Sequence, residues 1–299
     1  MSSFASEPRL PLLRSLETGR IHSAYLLSGP GEAPRETALW FVRALVCQRG
    51  EAGPCEACAP CRRSAGGEEI ALDGSGKKGP LFRHVGDHPD LIWVERGQED
   101  TRVRIGQIRA VQGTFRLRGS EAGRRAAVIA DAEWLNQEAQ NALLRLLEEP
   151  PPQTSLVLVA ASGAGLLATV RSRCQRVTFP TDAAHSPLGP DASDEERSLV
   201  SRLEDLPRQD LPDLLDWAEA YRGPRAIAAS EVSELLGTAS AWLRQRVAEA
   251  AESGRCDLRR ELDAFDTLKA CRKSLIQRNA NPQMVAERAL MALRDATIR

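Results

Sequence analysis

The sequence predicts an α/β core built on a mainly parallel sheet, followed by an all-helical domain. Three observations carry this. Five short apolar runs, each bounded by turn residues, alternate with helical patterns up to about residue 180. A stretch rich in Pro, Ala and Asp, PTDAAHSPLGPDASD, fills residues 180–194. Beyond it the apolar residues recur only at helical spacing.

In chain order, the runs at Ala24–Ser28, Leu91–Glu95, Ala126–Ala130, Ser155–Ala160 and Arg176–Phe179 read as strands. Helices are expected at Glu36–Val46, Ile105–Phe115 and Asn136–Glu149. Strands that alternate with helices build βαβ units and a parallel sheet. The helix at 136–149 has both ends marked: Asn136 is a natural N-cap and Pro150–Pro152 stop it. Residues 66–84, rich in Gly and polar residues, read as a surface loop insertion. The segment 195–299 reads as a helical bundle; Val232, Leu235, Leu236, Ala239, Leu243 and Val247 share one face, and Asn281–Pro282 opens a last helix.

The chain has 299 residues, a formal net charge of −1 and 42% hydrophobic residues, enough to bury a core and too neutral for a free-standing DNA-coating protein. No apolar run reaches the ~18 residues of a membrane helix, and the first twenty residues lack the apolar centre of a secretory leader. Of its 40 basic residues only four are lysines.

After the first strand, Gly29-Pro30-Gly31-Glu32-Ala33-Pro34-Arg35-Glu36 sits where a phosphate-binding loop would. Gly29 fits that pattern. Pro34 replaces the second glycine and lacks an N–H, Arg35 replaces the lysine, and Glu36 puts a carboxylate where a hydroxyl should hold Mg²⁺. The partner motif on a later strand keeps Asp131 but has Ala132 where a second acid would activate water. On these residues alone, a decayed nucleotide site and an ordinary loop remain equal readings. Two separate losses point away from ATP hydrolysis.

Cys47, Cys55, Cys58 and Cys61 give C-x7-C-x2-C-x2-C, with Gly50, Gly53, Pro54 and Pro60 supplying turns. Four thiolates satisfy tetrahedral zinc and leave no ligand position for water, so a structural zinc is expected. Cys174, Cys256 and Cys271 are isolated and read as buried small residues.

Further segments carry a resemblance. They are Gly19 to Pro30 (GRIHSAYLLSGP), the cysteine cluster, His88-Pro89-Asp90 and Arg104-Ile105-Gly106-Gln107-Ile108-Arg109. Asn141 to Pro151 (NALLRLLEEPP), Thr169 to Cys174 (TVRSRC) and, more loosely, Arg278 to Gln283 (RNANPQ) complete the set. On these the chain resembles the delta-prime family of bacterial DNA polymerase III clamp-loader subunits, members of the AAA+ class. The resemblance implies a five-stranded parallel AAA+ core over residues 1–179 with a zinc-binding loop at 47–61. It also implies a helical collar over 195–299. A third, lid domain is usual in the family. Here 180–194 is expected to be a linker with the lid reduced or absent, although Gly223-Pro224-Arg225-Ala226 as a lid remnant would move a boundary to about residue 228.

The implied role is a catalytically silent stator, part of the polymerase holoenzyme through its clamp loader. Arg173, flanked by Ser172 and Cys174, would serve as an arginine finger in trans, reaching ATP on a neighbouring subunit. Structural zinc would be the cofactor and ATP would not bind productively. The partners would be gamma/tau and delta subunits in a hetero-pentamer, the sliding clamp, and primed DNA through the complex, in the cytoplasm and away from membranes. Two other readings stand beside it. One is an active AAA+ ATPase in which Arg35 does the lysine's work; the other is a free zinc-dependent nucleic-acid-binding protein. Arg102, Arg104, Arg109, Arg116 and Arg118 are candidates for DNA contact or for a solvated helical face.

Overall fold

The structure, a computed structural model, describes residues 7–50, 52–65, 71–73, 80–97, 100–117, 119, 123–179, 189, 192–255 and 257–298. It divides into two compact units, one holding every strand and the other the C-terminal helices.

The first unit is a single sheet. Its strands are β1 (Ala24–Ser28), β2 (Ala71–Asp73), β3 (Pro80–Val85), β4 (His88–Val94), β5 (Arg125–Ile129), β6 (Thr154–Ala160) and β7 (Gln175–Thr178), in spatial order β2-β3-β4-β5-β6-β1-β7. β4, β5, β6, β1 and β7 run parallel, with Leu26 opposite Leu158 and Arg176, and Val128 opposite Trp93 and Val157. These are the five runs expected from sequence, shifted by one residue at some ends, with β4 starting three residues earlier than expected.

Two corrections apply. The sheet has seven strands rather than five, because β2 and β3 add antiparallel to the β4 edge. The segment 66–84, expected to be a loop, contributes both; residues 66–70 and 74–79 lie outside the described part. β3 and β4 form a hairpin closed at Gly86-Asp87. Gly86 takes φ +60, and any Cβ there would stand 2.1 Å from the carbonyl oxygen of Arg63. Gly-Asp between two apolar runs is a two-residue hairpin signal, which the polar composition around it masked.

Helices α1 (Leu10–Thr18), α2 (Ala33–Leu45), α3 (Ala59–Ala65), α4 (Ile105–Arg116), α5 (Gln137–Glu148) and α6 (Ala168–Arg171) cover the sheet and its ends. Because strand side chains alternate, one face gathers Tyr25, Leu27, Leu91, Trp93, Val128 and Val157 against Leu12 of α1 and Phe41 and Val42 of α2. The opposite positions, Leu26, Ile92, Ile129 and Leu158, are equally buried, as are Ile108 of α4 and Leu143 of α5. Burial on both faces explains why β1 and β6 read as continuous apolar runs. Asn136 caps α5 as expected, its side-chain oxygen accepting from the Ala139 N–H at 2.8 Å.

The second unit holds α7 (Asp194–Glu204), α8 (Leu211–Glu219), α9 (Arg225–Glu252), α10 (Arg259–Arg278) and α11 (Pro282–Thr297). α9, α10 and α11 pack on one another, α8 lies on α11 and α7 on α9. Val232, Leu235, Leu236, Ala239 and Leu243 are all buried, at the spacing of one helix face. Residue 228 falls in the first turn of α9, which begins at Arg225 within the segment 223–226. The linker expected at 180–194 lies largely outside the described residues, as do Cys256 and Arg118. Among the described residues, no helix is long and apolar enough to cross a membrane.

Candidate functional site

In open α/β sheets, ligands bind beyond the carboxyl ends of the parallel strands, so this edge is where a nucleotide would sit. β1 ends at Ser28 and its chain turns into α2 through the loop expected to be a failed phosphate cradle. Three features of this loop bear on whether it can hold phosphate. The Gly29 N–H is already donated to the Ala160 carbonyl at 3.1 Å. Pro34 is buried near the start of α2 and offers no N–H. Glu36 is exposed in the first turn of α2, adding negative charge where phosphate would approach.

Arg35 is turned onto the protein itself. Its Nη2 donates to Glu95 Oε2 at 3.0 Å, its Nη1 lies 3.9 Å from Asp131 Oδ1, and its guanidinium faces the Trp93 ring at 6.0 Å. Glu95 also accepts from Trp93 Nε1 at 2.9 Å and pairs with Arg83 Nε at 3.3 Å. Asp131 accepts the Arg96 N–H at 2.8 Å through its other oxygen. Ala132 is fully buried, so no second acid faces the loop from that position. Glu95 was not singled out from sequence: it follows a strand rather than matching any motif, and only the fold carries it to Arg35. The same holds for Arg9, whose Nε donates to Thr37 Oγ1 at 3.1 Å.

The four cysteines converge as expected. The Sγ atoms of Cys47, Cys55, Cys58 and Cys61 all lie within 4.8 Å of one another, and Cys55 Sγ stands 3.9 Å from Cys61 Sγ. Zinc–sulfur bonds of about 2.3 Å in a tetrahedron require sulfurs about 3.8 Å apart, so the donor set fits zinc with little rearrangement. Cys47 comes from the chain just past α2, Cys55 and Cys58 from the loop, and Cys61 from α3. The Cys58 N–H donates to Cys55 Sγ at 3.4 Å, and this backbone donation draws the Cys55 thiol down to about 6. Burial pushes the Cys61 thiol up to about 12. A cation among them would hold all four as thiolates. Arg43 braces the module, pairing with Glu56 at 2.6 Å and reaching the Cys61 carbonyl at 3.5 Å.

Arg173 lies just beyond α6. Its Nη2 contacts Glu148 Oε1 at 2.9 Å, its Nη1 donates to the Thr169 carbonyl at 3.0 Å, and its side chain is 37% exposed. The structure thus brings together two sequence motifs, TVRSRC and the end of NALLRLLEEPP. Ser172 hydrogen-bonds back to the Thr169 carbonyl, and Cys174 is buried, its thiol pushed up to about 11 by desolvation. On α4, Arg109 and Arg116 lie on the exposed face.

The model of the family described as DNA polymerase III, delta subunit, matches residues 9–183. The DNA polymerase III subunit delta' of Bacillus subtilis is 31% identical over 185 residues, covering 62% of this chain and 48% of that protein. The corresponding subunit of Pseudomonas aeruginosa is 31% identical over 194 residues, covering 64% and 51%. The B. subtilis subunit tau is 24% identical over 299 residues, covering 95% of this chain and 47% of its own. The chain spans about half the length of these curated relatives. Since the match begins just before α1 and runs past the last strand, more than half of the chain, the protein belongs to the DNA polymerase III delta-subunit family.

Proposed function

We propose that the chain is a delta-prime-type stator of a bacterial DNA polymerase III clamp loader, silent in ATP hydrolysis and contributing Arg173 to the ATP site of a neighbouring subunit. Its partners would be gamma/tau and delta subunits in a hetero-pentamer in the cytoplasm, acting on the sliding clamp and on primed DNA. The AAA+ core would occupy residues 1–179, with zinc in its structural module at 47–61. The lid would be reduced or absent across 180–194, and 195–299 would be the collar that assembles the complex.

The observation that carries the silent half of this reading is the engagement of Arg35. A guanidinium within ion-pair range of two carboxylates, Glu95 and the more buried Asp131, must give up both to reach a triphosphate, which counts against the active-ATPase reading. For the finger, the support is chemical. Arg173 is permanently charged, partly exposed, and held by a carboxylate that is itself 49% exposed, so a phosphate can compete for it. On binding, its fork would stabilise charge developing on the transferred phosphoryl group.

Two measurements test the reading. Titrating the isolated chain with Mg-ATP should show no binding in the micromolar range; binding with turnover refutes the stator. Arg173→Ala in the reconstituted complex should leave assembly intact and slow hydrolysis at the site it serves by about 10³-fold or more. Unchanged turnover rejects the finger.

A further inference from the structure

We infer that Arg35 is a tethered cation that replaces the metal ion at the acid-motif aspartate, turning the vacant nucleotide site into a self-neutralised brace. The inference rests on the reading that this chain does not use ATP. In a working phosphate-loop enzyme the aspartate at the position of Asp131 faces Mg²⁺, and the loop cation faces phosphate. Here both lose their ligand at once. Such a pair would leave a carboxylate with no counter-charge at the end of β5 and a cation with no counter-charge in the first turn of α2.

The geometry resolves both with one side chain. Arg35 reaches Asp131 at 3.9 Å and Glu95 at 3.0 Å, so a guanidinium rooted in α2 bridges the carboxyl ends of β4 and β5. Arginine suits this and lysine does not. A planar fork donates to Glu95 through one nitrogen and holds the other within ion-pair range of Asp131, whereas an ammonium offers one compact charge. Trp93 closes one side of the fork and donates its own indole N–H to Glu95, which fixes that acid in place. Arg83 balances the second oxygen of Glu95. The loss of the lysine is thus coupled to a gain: the α2–sheet junction, which in a nucleotide-binding subunit is completed by ligand, is completed here by the chain itself. A core held in this way keeps one conformation whatever nucleotide its neighbours hold.

The test uses the purified full chain and four forms: parent, Arg35→Met, Asp131→Asn and the double variant. Urea unfolding gives the coupling between the two positions. A coupling of about three- to tenfold in the unfolding equilibrium is expected for partly exposed groups, and additive effects overturn the bridge. The cation claim has a second readout. With the tether gone, Asp131 loses its cation and Glu95 keeps only Arg83, so the two carboxylates should regain affinity for a divalent ion. Millimolar Mg²⁺ should therefore raise the Tm of Arg35→Met by a few degrees, leave the parent unmoved, and lose its effect in the double variant. Coupling without a Mg²⁺ response would reduce Arg35 to an ordinary ion pair and overturn the inference. Should Arg35→Met not fold, Arg35→Lys is measured against Glu95→Gln and Asp131→Asn. Retention of both couplings at full strength overturns the fork, and loss of one supports it. Mg-ATP binding by the parent is scored separately, since it would remove the silent reading while leaving the coupling measurable.

Discussion

Replacing Cys61 with serine should melt the metal module while sparing the sheet, and the size of the effect follows from how little else holds the module together. Ordering a backbone costs about 1–2 kcal/mol per residue, so fixing residues 52–65 costs on the order of 15–25 kcal/mol. The compensating contacts are few. α3 has 7 residues, well short of the ~12–15 at which isolated helices become even marginal, and buries only Pro60, Cys61 and Ser64. Burying Pro60 and Cys61 contributes about 2 kcal/mol each. The Arg43–Glu56 pair, with Glu56 55% exposed, adds less than about 1 kcal/mol, and the hydrogen bonds around the Cys61 carbonyl, from Arg43 to Ser64 and between Arg63 and Asp87 add about 1 kcal/mol apiece. The shortfall is on the order of 10 kcal/mol, the range in which a closed four-ligand zinc site contributes folding energy. The assay is hydrogen exchange read by mass spectrometry, with metal content measured on the same samples. The parent should hold one zinc per chain and protect residues 47–65. Cys61→Ser, or parent treated with a chelator, should lose the metal and that protection while β5 and β6 stay protected. Unchanged protection of 47–65 after complete metal removal would refute the reasoning, because the module would then stand on contacts that the structure does not show.

Two smaller perturbations probe the site edge. A Cβ at Gly29 would lie 2.5 Å from Phe179 Cβ and 2.7 Å from its carbonyl oxygen, so Gly29→Ala must push β7 away and should cost about 1–3 kcal/mol, read as a drop in Tm of several degrees; an unchanged Tm would mean that the chain after β7 moves freely. Cys174, whose thiol is raised from 9.0 to about 11 by burial, should resist iodoacetamide at pH 8.5 until the protein unfolds. Its sign follows from linkage. Between pH 9 and 11 the unfolded chain releases the thiol proton and the folded chain keeps it, so stability falls as pH rises through that window. Cys174→Ala should flatten that fall, and an identical slope in the variant would reject the assignment.

How much was legible in the sequence differs between the two sites, and the reason is chain separation. The cysteine cluster could be read in advance because its ligands are close in sequence and zinc fixes both their number and their type. The five parallel strands could be read for a similar reason: burial on both faces leaves continuous apolar runs. β2 and β3 were hidden because an edge hairpin needs neither. The signal for the β3–β4 hairpin was the Gly-Asp pair at 86–87, just past the polar segment 66–84.

The phosphate loop was half legible. Pro34, Glu36 and Ala132 announce a loss, and a loss can be read from residue types alone. What replaced the lost function could not be, because Glu95 is 60 positions from Arg35 and belongs to no pattern. In a chain with only four lysines, an arginine at position 35 also looks like composition rather than choice. The fold separates the two explanations. A compositional arginine would point its charge to water, since nothing in a biased genome selects a partner for it. Arg35 instead sits between two carboxylates, one from each of two neighbouring strand ends, with the Trp93 ring centroid 6.0 Å away. Arg173 gives the contrasting case: its carboxylate partner Glu148 is 49% exposed, so the pair can open to a group that arrives from another molecule. On the proposed reading the two arginines divide the work of one intact ATP site: Arg35 keeps its charge within the chain, and Arg173 offers its charge to a neighbouring subunit.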